Sequence, residues 1–155
     1  FRYAYLYMKG GVYMDIKVEL LCPIDSIFVH RDWFYTALTR RSGNRSLIFN
    51  YIHQGVLYSP PGNPMFLRLV QQIIDVPILY YMMVCNEMTR DLMNHAVGRE
   101  LRLGANRNNV YLLEEYVDHR PPPEKRDGRG VFSQIRMDGK PVMNTRYKDY
   151  PFKKK

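Results

Sequence analysis

The sequence lacks the features that mark several protein classes. It has only two cysteines, Cys22 and Cys85, in unlike contexts and without Cys-x-x-Cys or histidine-rich spacing, so both are expected to be buried thiols. No apolar run approaches the roughly 20 residues of a membrane helix, and neither a signal peptide nor an internal repeat is visible. These absences argue against a disulfide-stapled scaffold and against a cysteine-ligated metal protein.

What is present is typical of a globular domain. The chain has 155 residues, of which 46% are hydrophobic and 14% aromatic, enough for one core but not clearly for two. A net charge of +8 raises the hypothesis of a nucleic-acid-binding module. The basic residues are scattered, however, apart from short clusters at 40–41, 99–107 and 153–155. A diphosphate or acidic glycan ligand, or solubility alone, explains the charge equally well, and no nucleic-acid partner is expected.

The first twenty residues, FRYAYLYMKGGVYMDIKVEL, carry the most informative pattern. Residues 1–9 hold long and aromatic side chains without internal Gly or Pro, and apolar positions recur three and four apart, which predicts a helix. Gly10 and Gly11 end this helix, because glycine accepts the left-handed conformation of a helix C-cap.

Residues 12–16 then predict a short β-strand with two distinct faces. Alternation places Tyr13, Asp15 and Lys17 on one face. The other face, which we expect to enter the core, carries Val12, Met14 and Ile16. The strand would present a carboxylate and an ammonium group at its C-terminal end, where ligands bind in open α/β sheets. The alternative is a solvated strand end without a ligand.

The stretch RYAYLYMKGGVYMDIKVEL resembles the signature of the DXD-type sugar-binding glycosyltransferases, glycosyltransferase family 32. This group includes the fungal initiation mannosyltransferases and the capsule-type sugar transferases of bacteria and viruses. Its signature is an Arg-Tyr helix, a Gly-Gly turn, a Tyr position and Asp-x-Asp. The matching residues are Arg2, Tyr3, Gly10, Gly11, Tyr13 and Asp15, whereas Lys17 replaces the second Asp.

The resemblance implies a nucleotide-sugar donor and a divalent metal ion, Mn²⁺ or Mg²⁺, that neutralises the diphosphate leaving group. The resemblance makes Asp15 the catalytic residue and the contact for the donor sugar and ribose. In the family the second Asp ligates the metal ion, and with Lys17 in its place Asp15 is the only motif acid left as a candidate metal ligand. A protonated Lys17 cannot ligate a cation. Three alternatives therefore stand: a metal-independent enzyme in which Lys17 contacts the diphosphate, a metal held by other residues, or a catalytically silent homologue.

A second segment, SLIFNYIHQGVLYSPPGNPMFLRLVQQI, is similar to the family region in which an Asn-containing strand leads to a Pro-Gly-x-Pro turn and a helix. The expected donor-binding residues of the whole site are Arg2, Gly10, Gly11, Tyr13, Asp15, Lys17, Asn50 and His53. Arg2 would contact the donor or brace Asp15, and Tyr13 would pack on the donor or orient that carboxylate. For Asn50 and His53 the alternative is a polar residue at a strand end.

The remaining expectations concern local structure. Asn63 is predicted to cap a helix that starts at Pro64, with an apolar stripe of Met65, Leu69, Val70, Ile73 and Ile74. Strands are predicted at 32–39, within 46–59 and at 110–117, where Glu114 and Glu115 are expected to form a surface pair. The Pro- and charge-rich segment 118–130 is expected to be a loop. A hairpin is predicted at 131–137 and 141–145 around the turn Asp138-Gly139.

These patterns predict an α/β fold, and the resemblance makes it GT-A-like: a Rossmann-type nucleotide-diphospho-sugar transferase fold. We expect residues 1–155 to form one partial catalytic domain, N-terminally truncated, because the family places further strands before the first helix. Its parts are the donor-site motif at 1–20, the loop at 118–130, and a hairpin and tail at 131–152.

The implied activity is that of a hexosyltransferase, mannosyltransferase-like, acting with retention in carbohydrate or capsular polysaccharide biosynthesis. Its acceptor would be a glycan or a lipid- or protein-linked group. Membrane association would arise only through segments outside this sequence. The alternatives are a silent, glycosyltransferase-like carbohydrate-binding protein and, less favoured, a basic nucleic-acid-binding module.

Overall fold

The computed structural model describes residues 1–41, 51–76, 91–99, 109–118 and 132–145. Helices are α1 (Arg2–Lys9) and α2 (Pro64–Ile74), residues 91–99 are also helical, and a 3-10 turn spans Ile24–Ser26. The strands are β1 (Gly11–Met14), β2 (Val18–Leu20), β3 (Phe34–Arg41), β4 (Tyr51–Ser59), β5 (Val110–Asp118), β6 (Phe132–Met137) and β7 (Lys140–Thr145). The predicted α/β class is confirmed. Within these ranges no helix has the length and apolar character needed to span a bilayer.

The described strands form one mixed sheet in the order β1-β4-β3-β5-β6-β7-β2. The β3–β5 pair is parallel, and the other described pairs are antiparallel. The hairpin of β6 and β7 turns at Asp138 and Gly139, both with positive φ, as the sequence predicts. The mixed sheet supports the α/β expectation, whereas the Rossmann-type arrangement stays a prediction.

The sheet is strongly curved, which follows from the place of β1 and β2. These two strands lie at opposite ends of the strand order, yet only residues 15–17 connect them. The four Cα steps from Met14 to Val18 span at most about 15 Å. In a flat sheet, six spacings of about 4.8 Å would separate the outer strands by roughly 29 Å. The sheet therefore curls until its two ends approach each other at the 15–17 turn.

Two apolar clusters lie on opposite faces of this sheet. Phe34 and Tyr35 are adjacent in β3 and fall in different clusters, as strand alternation requires. The Phe34 cluster packs under the helices and includes Tyr3, Leu6, Leu57, Phe66, Leu69, Met93 and Val97. The Tyr35 cluster fills the concave side and includes Ile27, Phe28, Val56, Leu113, Ile135 and Met143. The curved sheet thus has a core on each face.

Several local expectations are confirmed and others are wrong. Asn63 caps α2 by accepting a hydrogen bond from the Met65 N–H at 3.0 Å, and Pro64 opens the helix. The predicted apolar stripe fails at Ile74, which is 68% exposed. Cys22 is half-buried rather than fully buried. Cys85, Asn50 and almost all of 118–130 lie outside the described residues.

The prediction that Val12, Met14 and Ile16 enter the core as one strand face is wrong for two of the three. Val12 is exposed and Ile16 is 99% exposed, whereas Met14 is partly buried and packs against the concave-side cluster. The physical reason is that β1 ends at Met14 and the chain must turn at once to reach β2. Ile16 therefore sits in a turn, where strand alternation does not apply.

Candidate functional site

The motif at residues 1–20 meets the segment that contains the β4–α2 turn at Gly10. Gly10 is buried with φ +64°, and a β-carbon there would lie 2.6 Å from Pro61 N and 2.8 Å from Ser59 O. The Gly62 N–H donates to the Tyr7 carbonyl oxygen at 2.7 Å. The end of α1 is therefore fastened to the turn between β4 and α2, and only glycine fits at this junction.

Asp15 follows directly after β1 and is held by its backbone. Its N–H donates to the Gly55 carbonyl oxygen at 2.8 Å, and its own carbonyl accepts from the Val18 N–H at 2.9 Å. The expectation that Asp15 and Lys17 belong to a strand face is wrong, since both lie in the 15–17 turn. Lys17 is half-buried there, and Asp15 is exposed. The turn presents the Asp15 carboxylate at the seam where the sheet ends approach each other.

Tyr13 orients the Asp15 carboxylate. The Tyr13 hydroxyl donates to Asp15 Oδ1 at 2.8 Å. Burial, together with this hydrogen bond, raises the pKa of Tyr13 above its ordinary value, so the hydroxyl stays protonated and remains a donor. Because Asp15 Oδ1 accepts this hydrogen bond, the second carboxylate oxygen, Oδ2, faces away from the Tyr13 hydroxyl.

Arg2 supports this arrangement from α1. Its guanidinium carbon lies 4.7 Å from the centroid of the Tyr13 ring, and Nη1 donates to the Gln54 carbonyl oxygen at 3.2 Å. Arg2 therefore contacts Tyr13, which in turn hydrogen-bonds to Asp15, and its role toward the donor stays a prediction.

An irregularity in β4 shapes the floor of the site. Thr36 of β3 pairs with Leu57, but the next β3 residue, Ala37, pairs with His53. Residues 54–56 of β4 consequently stand opposite no β3 residue. Such bulges bend a strand and redirect its side chains, and they are common beside active sites.

Gly55, inside this bulge, lets two functional groups converge. A β-carbon on Gly55 would lie 2.7 Å from Asp15 Oδ2 and 2.7 Å from His53 Nε2. Both distances are shorter than real β-carbon contacts, so any larger residue would push the two groups away. The absent side chain leaves space that an Asp carboxylate and a His imidazole share.

His53 is fixed from behind by a buried carboxylate. His53 Nδ1 lies 3.3 Å from Glu115 Oε2, and both side chains are at most 10% exposed. The Thr39 hydroxyl also donates to Oε2, and the Ser133 hydroxyl donates to Oε1 at 2.8 Å. Thr145 Oγ1 lies 3.3 Å from Oε1 and 2.6 Å from Ser133 Oγ. Glu115 thus collects donors from four strands.

The environment keeps Glu115 ionised. Burial by itself raises the pKa of this carboxyl group, but the hydrogen bond and charge of His53 and the hydroxyls of Thr39 and Ser133 outweigh burial. The net result lowers the pKa of Glu115 from 4.5 to about 2. A buried carboxylate of this kind holds the neighbouring imidazole in one orientation.

Two residues of the site were missed from the sequence. Glu115 was predicted on the surface, and this prediction is wrong, because Glu115 is 3% exposed. The signal was available: Glu115 is two residues from the buried Leu113, so both side chains share one strand face. Gln54 accepts a hydrogen bond from the Tyr3 hydroxyl at 3.0 Å, and its buried Nε2 has no partner among the described residues.

The structure brings four of the predicted donor-site residues together: Arg2, Tyr13, Asp15 and His53. Lys17 follows in the same turn as Asp15. Gly10 is buried against the β4–α2 turn, and Gly11, the first residue of β1, is exposed and pairs with Ser59 of β4. Asn50 lies outside the described residues.

A separate cleft of about 520 Å³ opens at the other end of β4, where it leads into α2. Its lining includes residues 60–65, Arg68, Arg99 and Asn109. Ser59 is four residues from Gly55 along β4, about 13 Å in a strand. Neither Asp15 nor His53 lines this cleft, so it is not the place where the Asp15 carboxylate acts.

The divalent metal that the motif implies can be tested against these residues. No group of three or more His, Cys, Asp or Glu side chains with metal-site geometry exists within the described ranges. Asp15 Oδ2 and His53 Nε2, on either side of the Gly55 gap, do supply one oxygen and one nitrogen ligand. Two protein ligands suit ions that take their remaining ligands from substrate phosphates and water. The residues present therefore fit a metal ion that is shared with a substrate.

Comparison with known proteins concerns the part of the chain that holds Asp15. Residues 1–34 match the family model described as the glycosyltransferase sugar-binding region containing the DXD motif. No curated protein and no solved structure matches the chain. The match runs from α1 through the Asp15 turn and β2 to the first residue of β3. Residues 1–34 are thus similar to the DXD-containing sugar-binding region of glycosyltransferases.

Proposed function

We propose that this chain is the catalytic domain of a glycosyltransferase that binds a nucleotide-sugar donor at Asp15 and transfers the sugar to a glycan or a lipid- or protein-linked acceptor. The observation that carries the proposal is the Asp15 carboxylate in the family-matched segment. It is exposed, it is fixed by backbone hydrogen bonds on both sides, and Tyr13 orients it. A carboxylate held in this way accepts hydrogen bonds from sugar or ribose hydroxyls.

The charges around Asp15 fit a diphosphate leaving group. Arg2 lies behind Tyr13, and Lys17 lies two residues from Asp15 in the same turn. We assign Lys17 to the diphosphate and Asp15 to the sugar. A divalent metal ion, when bound, neutralises charge that develops on the leaving group. The assignment to family 32, a GT-A-like fold, retention of configuration and mannosyl-like specificity belong to this proposal and rest on the resemblance of the motif.

One observation favours a second candidate. Lys17 occupies the position of the second motif acid, and an ammonium group cannot ligate a metal. A catalytically silent homologue that binds nucleotide-sugars or glycans without turnover would tolerate this change. This candidate predicts donor binding with no release of nucleoside diphosphate.

The test is hydrolysis and transfer with a panel of nucleotide-sugars, each with and without Mn²⁺, on the full chain and on Asp15→Asn. The matched control is Asp25→Asn, because Asp25 is an exposed carboxylate paired with Arg31 on the surface. The proposal expects turnover that falls about 100-fold or more in Asp15→Asn and is unchanged in Asp25→Asn. Donor binding without turnover supports the silent homologue. Neither binding nor turnover with any donor contradicts both.

A further inference from the structure

We propose that His53 Nε2 and Asp15 Oδ2 together hold a divalent transition-metal ion, and that His53 supplies the protein ligand that the motif lost when Lys17 replaced its second acid. The remaining ligands would be water and the diphosphate of the donor. Only the identity of that diphosphate rests on the proposed function; the two protein ligands do not.

The distances allow both atoms to reach one ion. Each lies 2.7 Å from the same point above Gly55, so Asp15 Oδ2 and His53 Nε2 are separated by at most twice that distance. Ligands about 2.1 Å from a common ion are about 3 to 4 Å apart. Asp15 and His53 do not form an ion pair, so these two atoms lie more than 4.0 Å apart, and a shared ion requires the Asp15 carboxylate to shift by about 1–2 Å towards His53. Asp15 is exposed and can adjust, whereas His53 is buried and fixed.

The hydrogen bonds of the Asp15 carboxylate and the His53 imidazole leave Oδ2 and Nε2 facing the proposed ion. Tyr13 donates to Asp15 Oδ1, so Oδ2 is the oxygen that faces His53. Glu115 lies 3.3 Å from His53 Nδ1 and occupies that nitrogen, so Nε2 is the nitrogen that faces Asp15 across Gly55. A carboxylate behind a ligating histidine is the usual support of such a metal ligand. Three hydroxyls in turn hold Glu115 in place.

The β4 bulge explains why this pair exists here. It brings Gly55 under Asp15 and His53, and the missing β-carbon leaves the space between them open. A residue with any side chain at position 55 would fill the space that the ion needs. The substitution of Lys17 in the motif and the histidine in β4 are therefore complementary features of one site.

The mixed ligand set also predicts which ion is preferred. Imidazole nitrogen favours first-row transition metals, whereas Mg²⁺ prefers an all-oxygen shell. The site is expected to bind Mn²⁺ in the presence of excess Mg²⁺. Both ligands are side chains of the protein, so the ion is expected to bind without a nucleotide-sugar present. A nucleoside diphosphate is expected to raise the affinity for the ion.

The experiment is Mn²⁺ titration of the full chain, followed by electron paramagnetic resonance, alone and with a nucleoside diphosphate. Electron spin-echo modulation from a directly bound ¹⁴N nucleus is the expected signature of His53 in the wild-type protein. We expect His53→Gln to remove the modulation and to weaken Mn²⁺ binding by at least about tenfold. His30→Gln is the matched control, since His30 is an exposed histidine on a loop, and it should leave both readouts unchanged.

The outcomes separate this inference from the proposed function. The inference is overturned if the wild-type chain binds no Mn²⁺, or binds it without ¹⁴N modulation. Either result leaves the proposed glycosyltransferase function unaffected. ¹⁴N modulation without turnover of any donor upholds the metal site and removes the proposed function. Should His53→Gln fail to fold, Asp15→Asn changes only an exposed side chain, and retained Mn²⁺ affinity in that variant overturns the inference.

Discussion

Gly10 and Pro61 approach so closely that no side chain fits between them, although 51 positions of sequence separate them. A β-carbon on Gly10 would lie 2.8 Å from Pro61 Cδ and 2.6 Å from Pro61 N. The contact joins the end of α1 to the turn before α2. It therefore fixes the start of β1, and with it the position of Asp15 at the other end of that strand.

We expect Gly10→Ala to lower the free energy of unfolding by about 2–4 kcal/mol, because it adds the Pro61 clash to backbone strain at φ +64°. Gly11→Ala is the control, since Gly11 has φ +96° with nothing within 4 Å of a β-carbon. That variant should lose only the strain, about 1–2 kcal/mol. Urea denaturation measures both. Equal losses would show that the contact with Pro61 is not tight.

Gly55→Ala should disable the site more than the fold. The added methyl group lies where Asp15 Oδ2 and His53 Nε2 converge, so both must move apart. We expect a fold penalty of about 1–3 kcal/mol, and a drop of at least about tenfold in Mn²⁺ affinity and in donor turnover. Gly98→Ala, in the helical segment 91–99 with open space around it, should leave both unchanged. Unaltered Mn²⁺ affinity in Gly55→Ala would count against the shared space.

Glu115→Gln should destabilise the protein by about 1–3 kcal/mol, because an amide donates where the carboxylate accepts from His53 and Thr39. The matched control is Glu114→Gln, since Glu114 is the exposed neighbour on the opposite strand face. Its effect should stay within about 0.5 kcal/mol. Chemical denaturation of the two variants compares them directly. A loss as small as that of Glu114→Gln would mean that the buried carboxylate does not organise these donors.

Tyr13→Phe should weaken the donor complex without weakening the fold. It removes the hydrogen bond to Asp15 Oδ1, and both side chains keep solvent contact. We expect the Kd of the nucleotide-sugar to rise about 3- to 10-fold and the stability to change by no more than about 0.5 kcal/mol. Tyr5→Phe removes a hydroxyl from an exposed position of α1 and serves as control. Calorimetric titration of the donor into the three proteins is the measurement, and equal affinities would exclude an orienting role for Tyr13.

The elements with local signals were predictable from the sequence. Residues 1–9 and the capped start of α2 follow from helix periodicity, glycine and the Asn63-Pro64 pair. The β6–β7 hairpin follows from its Asp-Gly turn. In each case the residues that decide the structure lie within a few positions of one another, so the pattern alone was sufficient.

The parts of the site that depend on distant pairing were not predictable. His53 faces Asp15 only because a bulge in β4 breaks its register with β3, and no residue in the sequence marks that bulge unambiguously. Glu115 was misjudged because two adjacent glutamates resemble a solvated pair, whereas the strand alternation that buries one of them was present in the sequence. Asp15 was expected in a strand and lies in a turn instead, because the chain must turn there to reach β2, whose partner β7 is more than 120 residues away.

The pairing of β2 with β7 has a consequence for synthesis. Glu19 in β2 accepts a hydrogen bond from Asn144, 125 residues later. During translation, α1 and the residues around Asp15 leave the ribosome well before β7, so β2 lacks the partner strand seen here until the β6–β7 hairpin has emerged. A nascent chain interrupted before residue 140 would carry the complete motif and still lack one side of its support. The residues around Asp15 are therefore synthesised well before the hairpin that completes their support.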